Sequence, residues 1–317
     1  MKGTEKTMRQ DARQERRLNI AGVAGYHHGD RQYQKKVVFV SDRPSETDDS
    51  YHLLKDGSLP AMIGIELETE CWGIKSSTIY ANLLRDVVFK VFPANLWKIE
   101  SDCTLDGGDV GAECITQPMT KAFIRNHYRD FKAMYEYFGS FGIDPSRSGN
   151  CGQHAHISLT CFGRSKATQD EAIRKLFYIV NRHYDLICAL LYRRADRRDW
   201  CGRMDYTAAW TMDLEHMPGS HGNGCNYSHY RNGNIELRIP GGQKDYPCFR
   251  NTMESIFHLI EASKSIGRKD CDDIVKIFSG CNQHVFDRLR SYCYERGTIS
   301  AEQLDAIRQT VKTVDFR

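Results

Sequence analysis

Apolar and ionisable residues alternate one by one in three short stretches of this chain: Ile65-Glu66-Leu67-Glu68, His154-Ala155-His156-Ile157 and Ile235-Glu236-Leu237-Arg238-Ile239. A period of two places successive side chains on opposite faces of a β-strand, so each stretch buries an apolar face and presents its charged pair on the other. The same reasoning predicts strands over residues 36–40, 62–70, 97–100, 113–116, 153–159 and 234–239, with a polar loop over 41–50. The strands at 97–100 and 113–116 are expected to pair around the glycine-bearing turn 106–109.

Helical spacing governs much of the remainder. Helices are predicted over 77–92, 121–138 and 169–196, the last from the recurrence of Ile173, Leu176, Phe177, Val180, Tyr184, Ile187 and Leu191. Three more are predicted near 249–266, 285–296 and 301–314, the last opened by a Ser300-x-x-Gln303 capping box. Between these runs, residues 199–232 show little periodicity and many Gly, Asn and His, which suggests a long functional loop or lid. The fold class that follows is α+β: a mostly antiparallel sheet carrying the active site on one face, with helices packed on the other. Residues 1–35 read as a loosely ordered N-terminal arm, residues 36–317 as a single catalytic domain, and 250–317 as its helical C-terminal part.

Composition narrows the setting. The chain has 317 residues, 40% of them hydrophobic, enough to bury a full core, and its net charge of +3 points to neither a nucleic-acid nor a membrane partner. Its first residues are charged and lack an apolar h-region, and no apolar run approaches the length of a membrane span, so a cytoplasmic protein is expected. Twelve cysteines are present without any C-x-x-C spacing, and they read as reduced thiols. Cys103 and Cys114, beside candidate site residues, read as small buried apolar side chains.

If the three alternating strands share a sheet, one face gathers Glu66, Glu68, His154, His156, Glu236 and Arg238. Such a grouping is costly to desolvate unless it binds cations or phosphates. Any one Glu-x-Glu pair alone is ordinarily a solvated sheet face. Carboxylates with an imidazole suit Mg²⁺ or Mn²⁺, hard ions that prefer oxygen, and two such ions would share these ligands. Asp102 and Glu113 flank the glycine turn and add two acids, Glu113 being the better ligand candidate. Neither a Walker A sequence nor a G-x-G-x-x-G after a strand occurs, so phosphate would be held by metal and arginine. Arg238 on the site face is the first candidate for that. Arg193, Arg194, Arg197, Arg198 and Arg203 cluster at the end of the long predicted helix, either as a solvated helix end or as a surface for an anionic substrate or nucleotide.

The order of these motifs resembles the amidoligase family of phage and bacterial genomes, related to glutamine synthetase and gamma-glutamylcysteine ligase. The resemblance rests on Gly64-Ile65-Glu66-Leu67-Glu68-Thr69, on Asp102-Cys103-Thr104 with Glu113-Cys114-Ile115-Thr116-Gln117-Pro118, on Cys151-Gly152-Gln153-His154-Ala155-His156, and on Asn234-Ile235-Glu236-Leu237-Arg238. It covers roughly residues 60 to 260 and is carried by the order of four short motifs. What it implies is an ATP-dependent carboxylate-amine ligase with a glutamine-synthetase-like sheet that cradles ATP and Mg²⁺, acting in the cytosol of a bacterium or a phage-infected host. Glu68 and Glu113 would hold one metal; Glu66, His154 and Glu236 would hold the other. His156 would face the nucleotide phosphates, and Arg238 would stabilise the transferred phosphoryl group. Asp102 matches the family's acidic position, although Cys103 stands where glycine is usual. Asn234 occupies the place of a second phosphate-binding arginine, so Arg231 or an arginine of the 193–203 cluster, such as Arg203, would substitute.

The expected substrates are a small-molecule or peptide carboxylate and an amine. Two rival readings use the same residues: a two-metal phosphoesterase or nuclease that activates water without ATP, and an inactive nucleotide-binding protein of the same fold.

Overall fold

The computed structural model describes residues 37–40, 43–46, 61–71, 77–101, 105, 111–146, 151–194, 198, 200–217 and 222–313. The expected N-terminal arm, Asp102, Cys103, Arg197 and the glycine turn at 106–109 lie outside the described residues.

Among the described residues nine strands form one sheet: β1 (Val37–Val40), β2 (Arg43–Glu46), β3 (Met62–Thr69), β4 (Trp97–Ser101), β5 (Ala112–Thr116), β6 (Met119–Thr120), β7 (Gln153–Ser158), β8 (Cys225–Asn226) and β9 (Asn234–Leu237). The main path runs β2-β1-β6-β3-β7-β9-β8, while β5 pairs with β3 and carries β4 on its other side. Every pairing is antiparallel except β1 with β6. The helices are α1 (Ser77–Val91), α2 (Lys121–Asn126), α3 (Tyr128–Ser140), α4 (Lys166–Arg182), α5 (Tyr184–Leu190), α6 (Tyr246–Ser265), α7 (Ile274–Phe278), α8 (Gln283–Arg288) and α9 (Ala301–Arg308). The α+β class and the mostly antiparallel sheet are as expected.

The alternation read from the sequence becomes the division between core and site. Ile65, Leu67, Ile99, Cys114, Ala155, Ile157, Ile235 and Leu237 are buried in the hydrophobic core that also holds the apolar side chains of the helices. An aromatic run ties helices to sheet: Phe92 lies 5.8 Å from Trp97 of β4 and 4.8 Å from Phe131 of α3, which stacks on Phe249 of α6 at 4.5 Å. Such rings bury large apolar areas and dominate core energetics.

Several boundaries differ from expectation for local reasons. The predicted loop at 41–50 contains β2, an edge strand whose polar Arg43-Pro44-Ser45-Glu46 sequence suits an edge, where proline gives up no ladder bond. The helix predicted at 121–138 is broken at His127, whose ring stacks on Phe123 at 3.8 Å while its Nδ1 donates to the Phe123 carbonyl. The helix predicted at 169–196 breaks at His183 and ends at Leu190, after which the chain turns back toward the sheet. The last two predicted helices are shorter: α8 passes into a π-helical turn at Leu289–Cys293, and after α9 the Lys312 amide bonds the Cys281 carbonyl. The Ser300 capping box forms as predicted. Among its described residues, the stretch read as a long functional loop or lid carries a short helix at Tyr206–Trp210, whose Trp210 stacks on Tyr178 of α4 at 5.0 Å, followed by β8.

Among the described residues no helix is long and apolar enough to cross a membrane. The eleven described cysteines are free and buried. Burial and the neighbouring Glu113 carboxylate push the Cys114 thiol far up, as befits a packing residue.

Candidate functional site

Register builds the site. Across β3 and β5, Glu68 stands opposite Glu113; across β3 and β7, Glu66 stands opposite His154; across β7 and β9, His156 stands opposite Glu236. Opposed residues of paired strands share a face, so three neighbouring pairings bring five acids and imidazoles besides Glu113 onto one side of the sheet, away from the apolar core. Arg238, just past β9, forms an ion pair with Glu236.

His154 is the hub. Its Nδ1 lies 3.2 Å from Glu66 Oε2 and 3.5 Å from Glu236 Oε1, and its Nε2 lies 3.7 Å from Glu68 Oε1. Two groups of potential ligands therefore meet at one ring: Glu66, His154 and Glu236 form the first, Glu68, Glu113 and His154 the second, with one donor atom from each residue inside a 4.8 Å span. Octahedral Mg²⁺ with bonds near 2.1 Å separates its ligands by about 3.0 Å when adjacent and about 4.2 Å when opposite, so each group fits such an ion after small side-chain adjustments. The donor set, mostly carboxylate oxygen with one imidazole, matches a hard divalent cation.

Two of the carboxylates, Glu66 and Glu236, are held ionised. Burial raises the Glu66 carboxyl, but the His156 and His154 rings outweigh it and keep it well below the usual carboxylate range. Burial likewise opposes, and His154, His156 and Arg238 overcome, in lowering Glu236. Burial pushes His156 down, yet the Glu66 carboxylate 2.7 Å from its Nε2 drives it up to about 9 from an ordinary 6.5. The sign of the linkage follows. A group raised on folding stabilises fully below its unfolded pKa, and that contribution is lost as pH rises through the folded value. Metal-free protein is therefore expected to lose stability progressively between pH 6.5 and about 9 as His156 deprotonates, measured as a falling Tm in chelator-treated samples. A flat Tm over that interval counts against the ion pair.

Two contributors escaped the sequence reading. Glu100, only 1% exposed, stands opposite Glu113 across β4 and β5 and extends the acid row, with Lys98 Nζ 2.7 Å from its Oε1. Asn226 of β8 stands opposite Glu236 and donates from Nδ2 to Oε2 at 2.8 Å, fixing that carboxylate. The Lys98-Ile99-Glu100 alternation is the signal that identifies the first of these.

Gly152 makes close approach possible. A Cβ there would lie 2.9 Å from His154 Nε2 and 3.2 Å from both Glu68 Oε2 and Arg193 Nη2, while the Gly152 amide donates to Glu68 Oε2. These neighbours are ends of side chains, so Gly152→Ala is expected to leave the fold intact and displace the ligands. We expect Mn²⁺ affinity, read by isothermal titration, to fall about tenfold or more, in the range found when a metal site's supporting contacts are disturbed.

Beside the cluster lies a groove of about 520 Å³, whose lining includes Glu66, His156, Arg231, Asn234, Met62 and Ile115. The remaining arginines divide their tasks. Arg193 donates to the carbonyls of Arg238, Ile239 and Pro240 and holds the chain beyond β9. Arg198 pairs with Asp185. Arg203, a candidate for phosphate, instead donates to the Asn181 carbonyl and lies over the Tyr206 ring, and it is not among the residues lining the groove. Arg231 does line it.

No protein-family model matches the chain, and no curated protein matches it. Among solved structures the chain is similar to one described as the complex between the prokaryotic ubiquitin-like protein Pup and its ligase PafA, at 13% identity and a TM-score of 0.35. The match covers 79% of this chain and 63% of that one, so this chain spans less than two thirds of the matched chain's length.

Proposed function

We propose that this protein is an ATP-dependent carboxylate-amine ligase that forms an amide bond through an acyl phosphate, with Mg²⁺ or Mn²⁺ held on the polar face of the sheet. The observation that carries this reading is the convergence of two carboxylate pairs on the single ring of His154 beside the groove. Glu66, His154 and Glu236 would hold one ion, and Glu68 with Glu113 the other. When bound, such ions neutralise charge between two reacting anions and align them for in-line transfer.

The chain's own groups supply the rest. In this reading ATP would occupy the groove, with Met62 and Ile115 toward the base and His156 and Arg231 toward the phosphates, and Arg238 would reach them from beside Glu236. A carboxylate oxygen of the substrate attacks the γ-phosphorus and ADP leaves; the guanidinium of Arg238 faces the charge that develops on the transferred group. The amine nitrogen of the second substrate then attacks the acyl carbon, phosphate leaves, and a carboxylate at the edge of the cluster accepts the amine's proton. Substrates of this reaction are a small or peptide carboxylate and an amine, and its need for ATP suits a cytoplasmic setting.

Incubation with ATP, Mg²⁺ and pools of amino acids, polyamines and peptides tests the proposal. Substrate-stimulated ADP release with a product of new amide mass is the expected result. Cleavage of phosphodiesters without ATP would replace it with the nuclease reading, and nucleotide binding without turnover with that of an inactive binding protein.

A further inference from the structure

The groove beside the cluster takes one wall from a single turn. Arg231, Asn232, Gly233 and Asn234 all line it, consecutive residues that lead into β9. A 3₁₀ helix over Tyr230–Asn232 forms the turn, closed by the Asn232 amide on the His229 carbonyl at 2.9 Å and by the Gly233 amide on the Tyr230 carbonyl at 3.0 Å. Gly233, with φ of 90°, lies in the left-handed region and returns the chain to β9, and its carbonyl accepts from the Leu159 amide just past β7.

Successive side chains of a 3₁₀ helix diverge by about 120°, so Tyr230 and Arg231 leave the turn in different directions. Arg231 is exposed and lines the groove, whereas Tyr230 is 5% exposed and belongs to the hydrophobic core. The Tyr230 hydroxyl is held from two sides by α4: it donates to Asp170 Oδ1 and accepts from Lys166 Nζ at 2.9 Å. Lys166 and Asp170 stand four residues apart on one helix face and pair with each other at 2.9 Å, and Lys166 reaches Glu215 at 3.1 Å. Burial first, then Asp170, raises the Tyr230 phenol against the opposing pull of Lys166, which keeps the hydroxyl a donor.

Hydrogen bonds to charged groups are stronger than neutral ones, so the grip of α4 on this hydroxyl limits how far the turn can move. That matters for Arg231. An arginine that meets a phosphate gives up side-chain freedom, and a wandering turn would add backbone freedom to that loss.

We propose that Tyr230 is a positioning residue: gripped by Asp170 and Lys166, it fixes the turn from which Arg231 reaches the nucleotide phosphates. This rests on the nucleotide placement given above. The test is a double-mutant cycle on the full chain, read by isothermal titration with the non-hydrolysable analogue adenylyl imidodiphosphate and Mg²⁺. Tyr230→Phe removes one oxygen, changes no charge and keeps the ring. It weakens binding about threefold to tenfold, the worth of one lost hydrogen bond, and in an Arg231→Ala background the same substitution weakens binding no further. Asp170→Asn, which leaves the hydroxyl but removes the charge it donates to, acts in the same direction and through the same arginine. Circular dichroism spectra matching wild type verify folding, and Asp170→Asn carries the cycle if Tyr230→Phe does not fold. Wild-type affinity in the folded variants, or a loss of equal size once Arg231 is already removed, overturns the proposal; the second outcome is what a purely structural fastening gives. A wild-type protein that binds no analogue overturns the nucleotide placement and this proposal together, whereas one that binds it and shows no ATP turnover overturns the ligase reading alone.

Discussion

Glu236→Gln is expected to lower turnover by about a thousandfold or more while leaving the protein folded, because loss of a catalytic metal ligand removes several kcal/mol of transition-state stabilisation and each 1.36 kcal/mol is a factor of ten. The substitution is nearly isosteric and keeps an acceptor for the Asn226 amide, so packing around the side chain is preserved. What it removes is the charge that pairs with Arg238 and faces His154. Glu66→Gln is expected to behave alike, since that carboxylate touches both His154 and His156. The measurements are ADP release under saturating ATP, Mn²⁺ stoichiometry, and urea unfolding as the control on folding. Unchanged turnover in either variant takes that residue out of the reaction.

Arg125→Ala has the largest effect expected on stability, a loss of about 3–5 kcal/mol, the range seen when one partner of a buried ion pair is removed. Glu254 in α6 is 1% exposed and receives Arg125 Nε and Nη2 at 2.9 and 2.5 Å, the Tyr128 hydroxyl at 2.8 Å and Asn282 Nδ2 at 2.6 Å. Those donors come from α2, from α3 and from the residue that caps α8, so one carboxylate fastens three segments to α6. Without the guanidinium it stays buried with two neutral donors. The Tyr128 phenol is already pushed far up, by burial first and then by Glu254, so it remains a donor. Denaturant titration reads the change, and a loss below about 1 kcal/mol, the worth of an exposed pair, would show that Glu254 is solvated in practice.

Much of the polar face was legible because its information is local. Alternation in 65–68, 154–157 and 235–239 assigns each side chain to a face with no knowledge of partners, and the apolar halves, Ile65, Leu67, Ala155, Ile157, Ile235 and Leu237, are indeed buried. That three such strands lie side by side is a property of the sheet, and the order β3-β7-β9 had to come from the fold. Glu100 went unnoticed for an understandable reason: Lys98 and Glu100 carry opposite charges two residues apart, a pattern equally suited to an exposed edge. Asn226 belongs to a strand of two residues, too short for any periodicity to reveal. The helix breaks at His127 and His183 were hidden because apolar spacing continues across a single interrupted residue. Tyr192 lay inside a predicted helix, and only the tertiary demand that Arg193 reach the carbonyls of 238–240 turns the chain there.

A neutral imidazole owns one available lone pair and one N–H, so His154 cannot ligate on both sides at once. With Nδ1 toward Glu66 and Glu236, and Nε2 toward Glu68, the ring's tautomer decides which triad gains a nitrogen donor and which keeps only oxygens with an N–H turned toward it. If the two groups hold ions as proposed, the positions would be chemically unequal: the nitrogen-bearing one would favour softer transition ions such as Mn²⁺, the all-oxygen one Mg²⁺. On that reading an ion on the Nδ1 side would leave Nε2–H to donate toward Glu68, so the two positions would fill in order rather than independently.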